Sequence, residues 1–351
     1  MQVRRLFAGS NGAKGFYSLF ENIIGEDARR VYLLKGGPGT GKSSLMKDLA
    51  AALQEEGFAL ELFFCSSDSH SLDAFSCPEL GVAVVDATFP HVQEPQWPGS
   101  RDELIYLGAF WDGERLAERR EEIAAAGQVK GKHFAAAYRY FAAALAVEEN
   151  IAARSRGKLD CAAFLEEILA KINQAKASLG APRRARHLFA AALTPEGYVS
   201  EIDSLSAGFK RFILTGPPGA GQRECLQLLL QHAELAGLQA EAFHYPLDPL
   251  KLSHLLLPEL KVAVLTETDL EPLDALSGQR VLCGEPEQST AGVRDRELFR
   301  ELVELGIAEL RQAQGTHAVL ERCYAAAMDF GAVDALRERL RAKILAYKNR
   351  S

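Results

Sequence analysis

The chain has 351 residues, 48% of them hydrophobic and 25% charged, with a formal net charge of −7. That mix belongs to a folded protein of about two domains at roughly 150 residues each, and it excludes disorder as the global state. The acidic balance argues against a protein built to neutralise nucleic-acid phosphates, so nucleic acid is not an expected partner.

The first residues, Met1 to Phe7, hold two arginines and no apolar core of an export signal, so none is expected. Val31 to Lys35 is a short apolar run stopped by Gly36, the pattern of a strand. From Ser43 to Glu56 the apolar residues Leu45, Met46, Leu49, Ala52 and Leu53 recur at helical spacing, and Gly57 ends the run. Leu60 to Phe64 and Val82 to Val85 are apolar on both faces and predict buried parallel strands. Leu104 to Leu107, and Val281 to Cys283 later, predict one further strand each. Residues 114–126, 131–154 and 160–178 predict helices, as do 294–314, 316–330 and 332–347. The most apolar stretch, Phe134 to Val147, is too short to cross a bilayer and is interrupted by Arg139, so no membrane partner is expected. The cysteines at 65, 77, 161, 225, 283 and 323 form no C-x-x-C pair and predict free thiols in a cytoplasmic protein.

The chain repeats itself. Shifted by 180 positions, residues 30–86 fall on 210–266 without a gap, and 17 of the 57 pairs are identical. Gly36, Pro38, Gly39 and Gly41 meet Gly216, Pro218, Gly219 and Gly221; Pro78-Glu-Leu-x-Val-Ala-Val recurs at Pro258. Upstream, Leu6-Phe7-Ala8 meets Leu188-Phe189-Ala190. Downstream, at a shift of 184, His133 meets His317 and Tyr140 meets Tyr324. A period this long predicts tandem globular units rather than a solenoid. The Gly/Pro break at Gly180-Ala-Pro-Arg divides them into 1–182 and 183–351, each an α/β unit with a parallel sheet, flanking helices and an α-helical extension.

The first unit carries a chemical signature. Gly36 to Ser43 reads G-G-P-G-T-G-K-S and satisfies G-x-x-x-x-G-K-[ST], with the strand before it and the helix after it that the motif requires. Glycines let the backbone wrap a phosphate with its N–H groups inward, and the helix N-terminus adds positive potential. The expected nucleotide contacts are Gly36, Gly37, Pro38, Gly39, Thr40, Gly41, Lys42, Ser43 and Ser44, with Lys42 reaching the β- and γ-phosphates. Val82-Ala-Val-Val-Asp86 ends an apolar strand in a carboxylate, so Ser43 and Asp86 are the expected Mg²⁺ ligands; the plainer role for Asp86 is a turn or cap. The residue after Asp86 is Ala87, so a water-activating Glu is missing there. Asp68, at the carboxyl end of the second strand, is the first choice of catalytic carboxylate beside Lys42; a turn role for Asp68, and His70 or Asp73 as the base, are the alternatives.

These strings, with Ser66-Ser-Asp-x-x-Ser-Leu-Asp73 and Lys14-Gly-Phe-Tyr17, resemble a family of bacterial tandem-duplicated P-loop ATPases over nearly the whole chain. The resemblance implies two P-loop NTPase-like domains and ATP binding. The second loop departs from it. Gly216 to Arg223 reads G-P-P-G-A-G-Q-R, with Gln222 for Lys, Arg223 for Ser/Thr, and Thr266 in the place of Asp86. The second unit is therefore expected to be a degenerate structural or regulatory partner; the alternative is that Arg223 clamps a phosphate without metal.

Weaker signals have plainer readings. Leu276-Ser-Gly-Gln-Arg280 is expected to be a turn, and Gly157-Lys-Leu-Asp160 lacks the residue that would read guanine. Trp97 and Trp111 are expected to pack. Arg183–Arg184 and Arg294–Arg296 are expected at solvated ends, with an arginine finger as the alternative. The reading as a whole is a Mg²⁺-dependent ATPase whose helical extensions serve as a lid or contact a protein partner. A small-molecule kinase and an ATP-gated, non-enzymatic switch are the rivals.

Overall fold

The computed structural model describes residues 3–154, 162–176, 181–284 and 289–350. Strands β1 (Val3–Leu6), β4 (Arg30–Lys35), β5 (Leu60–Cys65), β6 (Asp68–Cys77), β7 (Val82–Asp86) and β8 (Asp102–Tyr106) form a six-stranded sheet in the order β1-β5-β6-β7-β4-β8. The second half repeats it with β9 (Arg186–Leu188), β12 (Lys210–Thr215), β13 (Glu241–His244), β14 (Leu252–Leu257), β15 (Val262–Thr266) and β16 (Gln279–Leu282), in the matching order β9-β13-β14-β15-β12-β16. Neither sheet is wholly parallel, which corrects the sequence reading. β6 runs antiparallel to both β5 and β7, and β14 to both β13 and β15. β6 escapes detection because its first half, Asp-Ser-His-Ser, is polar.

Alternation along the strands explains the layers. Tyr32 and Leu34 face α1 (Lys42–Glu55), while Val31 and Leu33 face the opposite way, into a core shared with Ile213, Phe243 and Leu265 of the second sheet. The two sheets thus pack face to face, with helices outside. A small antiparallel sheet ties the halves again. Hairpin β2 (Gly9–Gly12)–β3 (Gly15–Ser18) and hairpin β10 (Ala191–Thr194)–β11 (Gly197–Ser200) join through Asn11 and Leu193.

The last helices are exchanged between halves. α4 (Ala162–Lys176) buries Phe164, Ile168 and Ile172 against α6 (Gln222–Ala236) of the second half. α8 (Phe330–Leu345) buries Val333, Leu336, Leu340 and Ile344 against α1 of the first. Short helices α2 (Gly113–Glu118) and α5 (Ile202–Leu205) complete the set.

Two long helices cross the molecule: α3 (Arg120–Arg154, 35 residues) and α7 (Thr290–Ala325, 36 residues), each about 50 Å long. They run antiparallel, since Lys130 meets His317, His133 meets Glu309, and Arg154 meets Asp295. Each continues where separate helices were expected, α3 through residues 127–130 and α7 through Gly315; a side chain at Gly127, Gly131 or Gly315 would meet nothing within 4 Å. Gly306 is a different case, because Phe141 of α3 occupies the space a Cβ would need.

The boundary at Gly180, the Gly157–Asp160 string and Cys161 lie outside the described residues. Cys65, Cys77 and Cys323 are free. Among the described residues no helix is long and apolar enough to cross a membrane.

Candidate functional site

Strand β4 delivers the chain to Gly36 and α1 begins at Lys42, so residues 36–41 form a loop at the carboxyl end of the sheet. Gly39 and Gly41 turn it with φ of 68° and 84°, left-handed values that side chains resist. The Lys42 ammonium donates to the carbonyls of Gly36 and Gly37 at 2.7 and 2.8 Å and lies 3.6 Å from Asp86 Oδ2. Thr40 Oγ1 closes the loop by donating to Gly37 O at 2.8 Å.

Asp86 ends β7, beside β4, and its Oδ1 accepts the Thr88 N–H at 2.9 Å. Thr88 Oγ1 in turn donates to Gly36 O at 3.1 Å, tying the carboxylate's strand to the loop. Ser43 Oγ accepts the N–H of Leu72 at 3.0 Å, which leaves its own hydrogen and a lone pair for another partner. Loop, Lys42, Ser43 and Asp86 are therefore brought together. Ser44 is exposed.

Asp68 opens β6 and does turn work. Its Oδ1 accepts the His70 N–H at 3.2 Å and its Oδ2 the Ser71 hydroxyl at 2.6 Å. It also lies near enough to His317 and Glu321 to act on their charge. The His70 side chain is exposed. Asp73 sits on a bulge, since Phe63 pairs with Ala74 and Phe64 with Leu72, and it turns to His91 Nε2 at 3.5 Å. Burial alone would push the His91 imidazole down, but Asp73 and Asp86 hold it above its ordinary range.

What the sequence did not disclose is the cap on this loop, supplied by the long helix pair. A side chain on Gly37 would strike the Tyr324 ring, and one on Gly39 would strike the Glu321 backbone. Lys130 Nζ of α3 meets His317 Nδ1 of α7 at 2.9 Å. Burial, with help from Lys130 and Lys42, pulls His317 down to about 4, so the neutral ring accepts this bond. Burial also lowers Lys130, with Lys42 adding repulsion, and raises Glu321, with Asp68 adding to it. Groups perturbed in opposite directions thus gather around this one glycine loop. No local motif announces Lys130, His317 or Glu321, because their relevance depends on where two helices end.

Trp111 packs between Tyr106 and Tyr324, while Trp97 is half-exposed beneath the Arg101 guanidinium. Arg183, Arg184 and Arg294 are exposed.

At the second loop, Gln222 Nε2 donates to Pro217 O at 3.2 Å, the counterpart of the Lys42–Gly37 bond. Its cap is Ala152 of α3, which fills the space a side chain on Gly219 would need. Glu321 at one loop thus answers to Ala152 at the other. That corrects the downstream alignment: His133 and His317 are not equivalent in space, the helices being offset by 169 (321 − 152) rather than 184.

The family described as nephrocystin 3, N-terminal, matches residues 18–77, the segment running from the end of β3 through the glycine loop and α1 to the end of β6. No curated protein and no solved structure matches the chain.

Proposed function

We propose that the chain is a P-loop Mg²⁺-ATPase with its working site at Gly36–Ser43, and that the two halves are P-loop NTPase-like units of a cytoplasmic protein. One arrangement carries the reading: the Lys42 ammonium hydrogen-bonded to the loop's carbonyls and 3.6 Å from Asp86, with Ser43 Oγ beside it on α1. The residues suit the ligands. Left-handed glycines leave a backbone cradle, and a hydroxyl with a single carboxylate is the sparse oxygen set that magnesium accepts when nucleotide phosphates complete its shell. Ser43 and Asp86 would hold the ion, which would supply charge neutralisation for the phosphates.

The chain's own groups do the rest. Lys42 has three donors, so it can keep a loop carbonyl while donating a hydrogen bond to a phosphate oxygen. Thr88 fixes the distance between Asp86 and the loop. Asp68, already oriented by Ser71, is the carboxylate for positioning water. Lys130 stands on the same side, where a second cation stabilises developing charge.

The cap favours a second reading. Because Glu321 and Tyr324 lie against Gly37 and Gly39, filling the loop acts on α7 directly, as an ATP-gated switch would require.

The test is phosphate release from Mg-ATP by wild-type, Lys42→Ala and Gln222→Lys proteins. Release that falls about 100-fold in Lys42→Ala and persists in Gln222→Lys supports hydrolysis at the first loop. A protein that binds ATP and releases no phosphate refutes the hydrolase and leaves the kinase and the switch.

A further inference from the structure

The second glycine loop has lost its metal chemistry and kept a cavity. A space of about 890 Å³ opens between that loop, β14, β15 and the α3–α7 pair. This is near the upper end of the roughly 300–1,000 Å³ typical of small-molecule sites. Gly219 and Gly221 adopt φ of 83° and 100°, matching Gly39 and Gly41, so the backbone cradle survives.

The replaced side chains are consistent with an anion and inconsistent with a metal. Arg223 stands on α6 where Ser43 stands on α1. Its Nη2 donates to Leu250 O at 3.3 Å, and its Nε is buried without a hydrogen-bond partner among the described residues. Thr266, in the place of Asp86, lines the cavity at 9% exposure, and its hydroxyl also has no partner there. A buried hydroxyl and a buried guanidinium N–H without partners are costly unless a ligand completes them.

The surrounding charges are arranged accordingly. Arg296 and Arg300 of α7 reach the same space. Of the carboxylates there, Glu267 is held by Arg280 at 2.8 Å, Asp269 by Arg300 at 2.9 Å, and Glu148 by the Tyr245 hydroxyl at 2.9 Å. Glu149 and Glu224 are exposed and screened by solvent. Leu252, Leu282 and Pro272 give the cavity an apolar wall for the body of a ligand.

We propose that this cavity binds a phosphorylated small molecule of nucleotide size without magnesium, its phosphate on the Gly216–Gly221 loop and Arg223. The site is distinct from the Gly36–Ser43 loop. A fixed guanidinium replaces the ion, so affinity is insensitive to chelators.

The test is calorimetric titration in EDTA of the Lys42→Ala chain, which disables the first loop, with ADP, ribose 5-phosphate and inorganic phosphate as probes. Binding of ADP or ribose 5-phosphate is expected, and which of them binds distinguishes a nucleotide from a sugar phosphate. Adding Arg223→Glu should weaken binding at least about tenfold, and Thr266→Val roughly threefold. Binding of neither organic phosphate, or binding indifferent to Arg223→Glu, overturns the proposal. Photolabelling of the wild-type chain with an azido-ADP in EDTA needs no variant. Label on the peptides of β14, β16 or residues 148–153 supports the site, and label confined to the peptides of residues 36–44 and 317–324 refutes it.

Discussion

Arg4 grips Glu241, 237 positions away, with Nη1 and Nη2 at 2.8 and 2.6 Å from the two carboxylate oxygens. Arg186 grips Glu61 in the same bidentate way at 2.9 and 2.7 Å, and Arg4 also reaches Glu61 at 2.7 Å. Arg4 pairs with Glu61 in register across β1 and β5, and Arg186 with Glu241 across β9 and β13, so the quartet joins the two sheets. Burial alone would raise the Glu61 pKa, but Arg186 and Arg4 hold it below the ordinary carboxylate range. That contribution is present above the unfolded value and is lost as pH falls through the folded one. Glu61→Ala leaves Arg186 without a carboxylate and Arg4 with Glu241 alone, and should cost about 3–5 kcal/mol; Glu241→Gln, at a more exposed position, should cost about 1–2 kcal/mol. Urea unfolding midpoints check both.

The helix exchange makes a second prediction. Leu340, fully buried on α8, belongs to the core of the first half, and Ile168 on α4 to that of the second. Either residue changed to Ala should cost about 2–5 kcal/mol. A chain cut after residue 182 loses the cover on Leu45, Leu49 and Leu53 and should aggregate, as light scattering would show. A soluble, cooperatively melting fragment would contradict this.

The cap makes a third. If Lys130⁺ stabilises charge on a transferred phosphoryl group, turnover needs it protonated. Its lowered pKa then brings the alkaline fall in rate below the ordinary lysine range near 10.4. Lys130→Arg should push that limb upward, while Lys130→Ala should lower kcat about 10- to 100-fold with ATP affinity little changed. The pH–rate profile distinguishes this from a merely structural role, which would leave the limb in place.

Legibility divides along the range of the interactions. The loop, Lys42, Ser43 and the strand ending at Asp86 are readable because a strand–glycine loop–helix turn is local, and glycines at fixed spacing announce it. β6 is not, because its polar start and the bulge at Asp73 break the alternation that marks a strand. Gly127 and Gly315 each cost a helix about 1 kcal/mol, which favours a break in isolation; the packing of α3 on α7 overrides it. Lys130, His317 and Glu321 come from positions 88 to 279 residues beyond Lys42 (130 − 42 and 321 − 42), and no periodicity in sequence points from there to the loop. The same distance hid the exchanged helices, whose apolar faces are visible but whose partners are not.

Two histidines pull the pH dependence of stability in opposite directions. His244 is pushed down to about 4, mainly by burial, with His187 beside it adding repulsion against the carbonyl of Pro249, which favours its charge. Unfolding lets it take up a proton near its ordinary value of about 6.5, so its contribution is full above that value and lost as pH falls toward 4. His91 is the reverse. Its pKa is raised by Asp73 and Asp86 against the burial that lowers it, so its contribution is full below the ordinary value and lost as pH rises through the folded one. Thermal melts between pH 5 and 8 should therefore show a flatter acid side in His244→Gln and a flatter alkaline side in His91→Gln. Asp73 is left with one buried oxygen lacking a hydrogen-bond partner among the described residues, so removing His91 also strands a buried carboxylate. The His91→Gln chain should accordingly be the less stable of the two at neutral pH. If Asp73→Asn is added to His91→Gln, part of the lost stability should return, because a neutral amide leaves no buried charge without a partner.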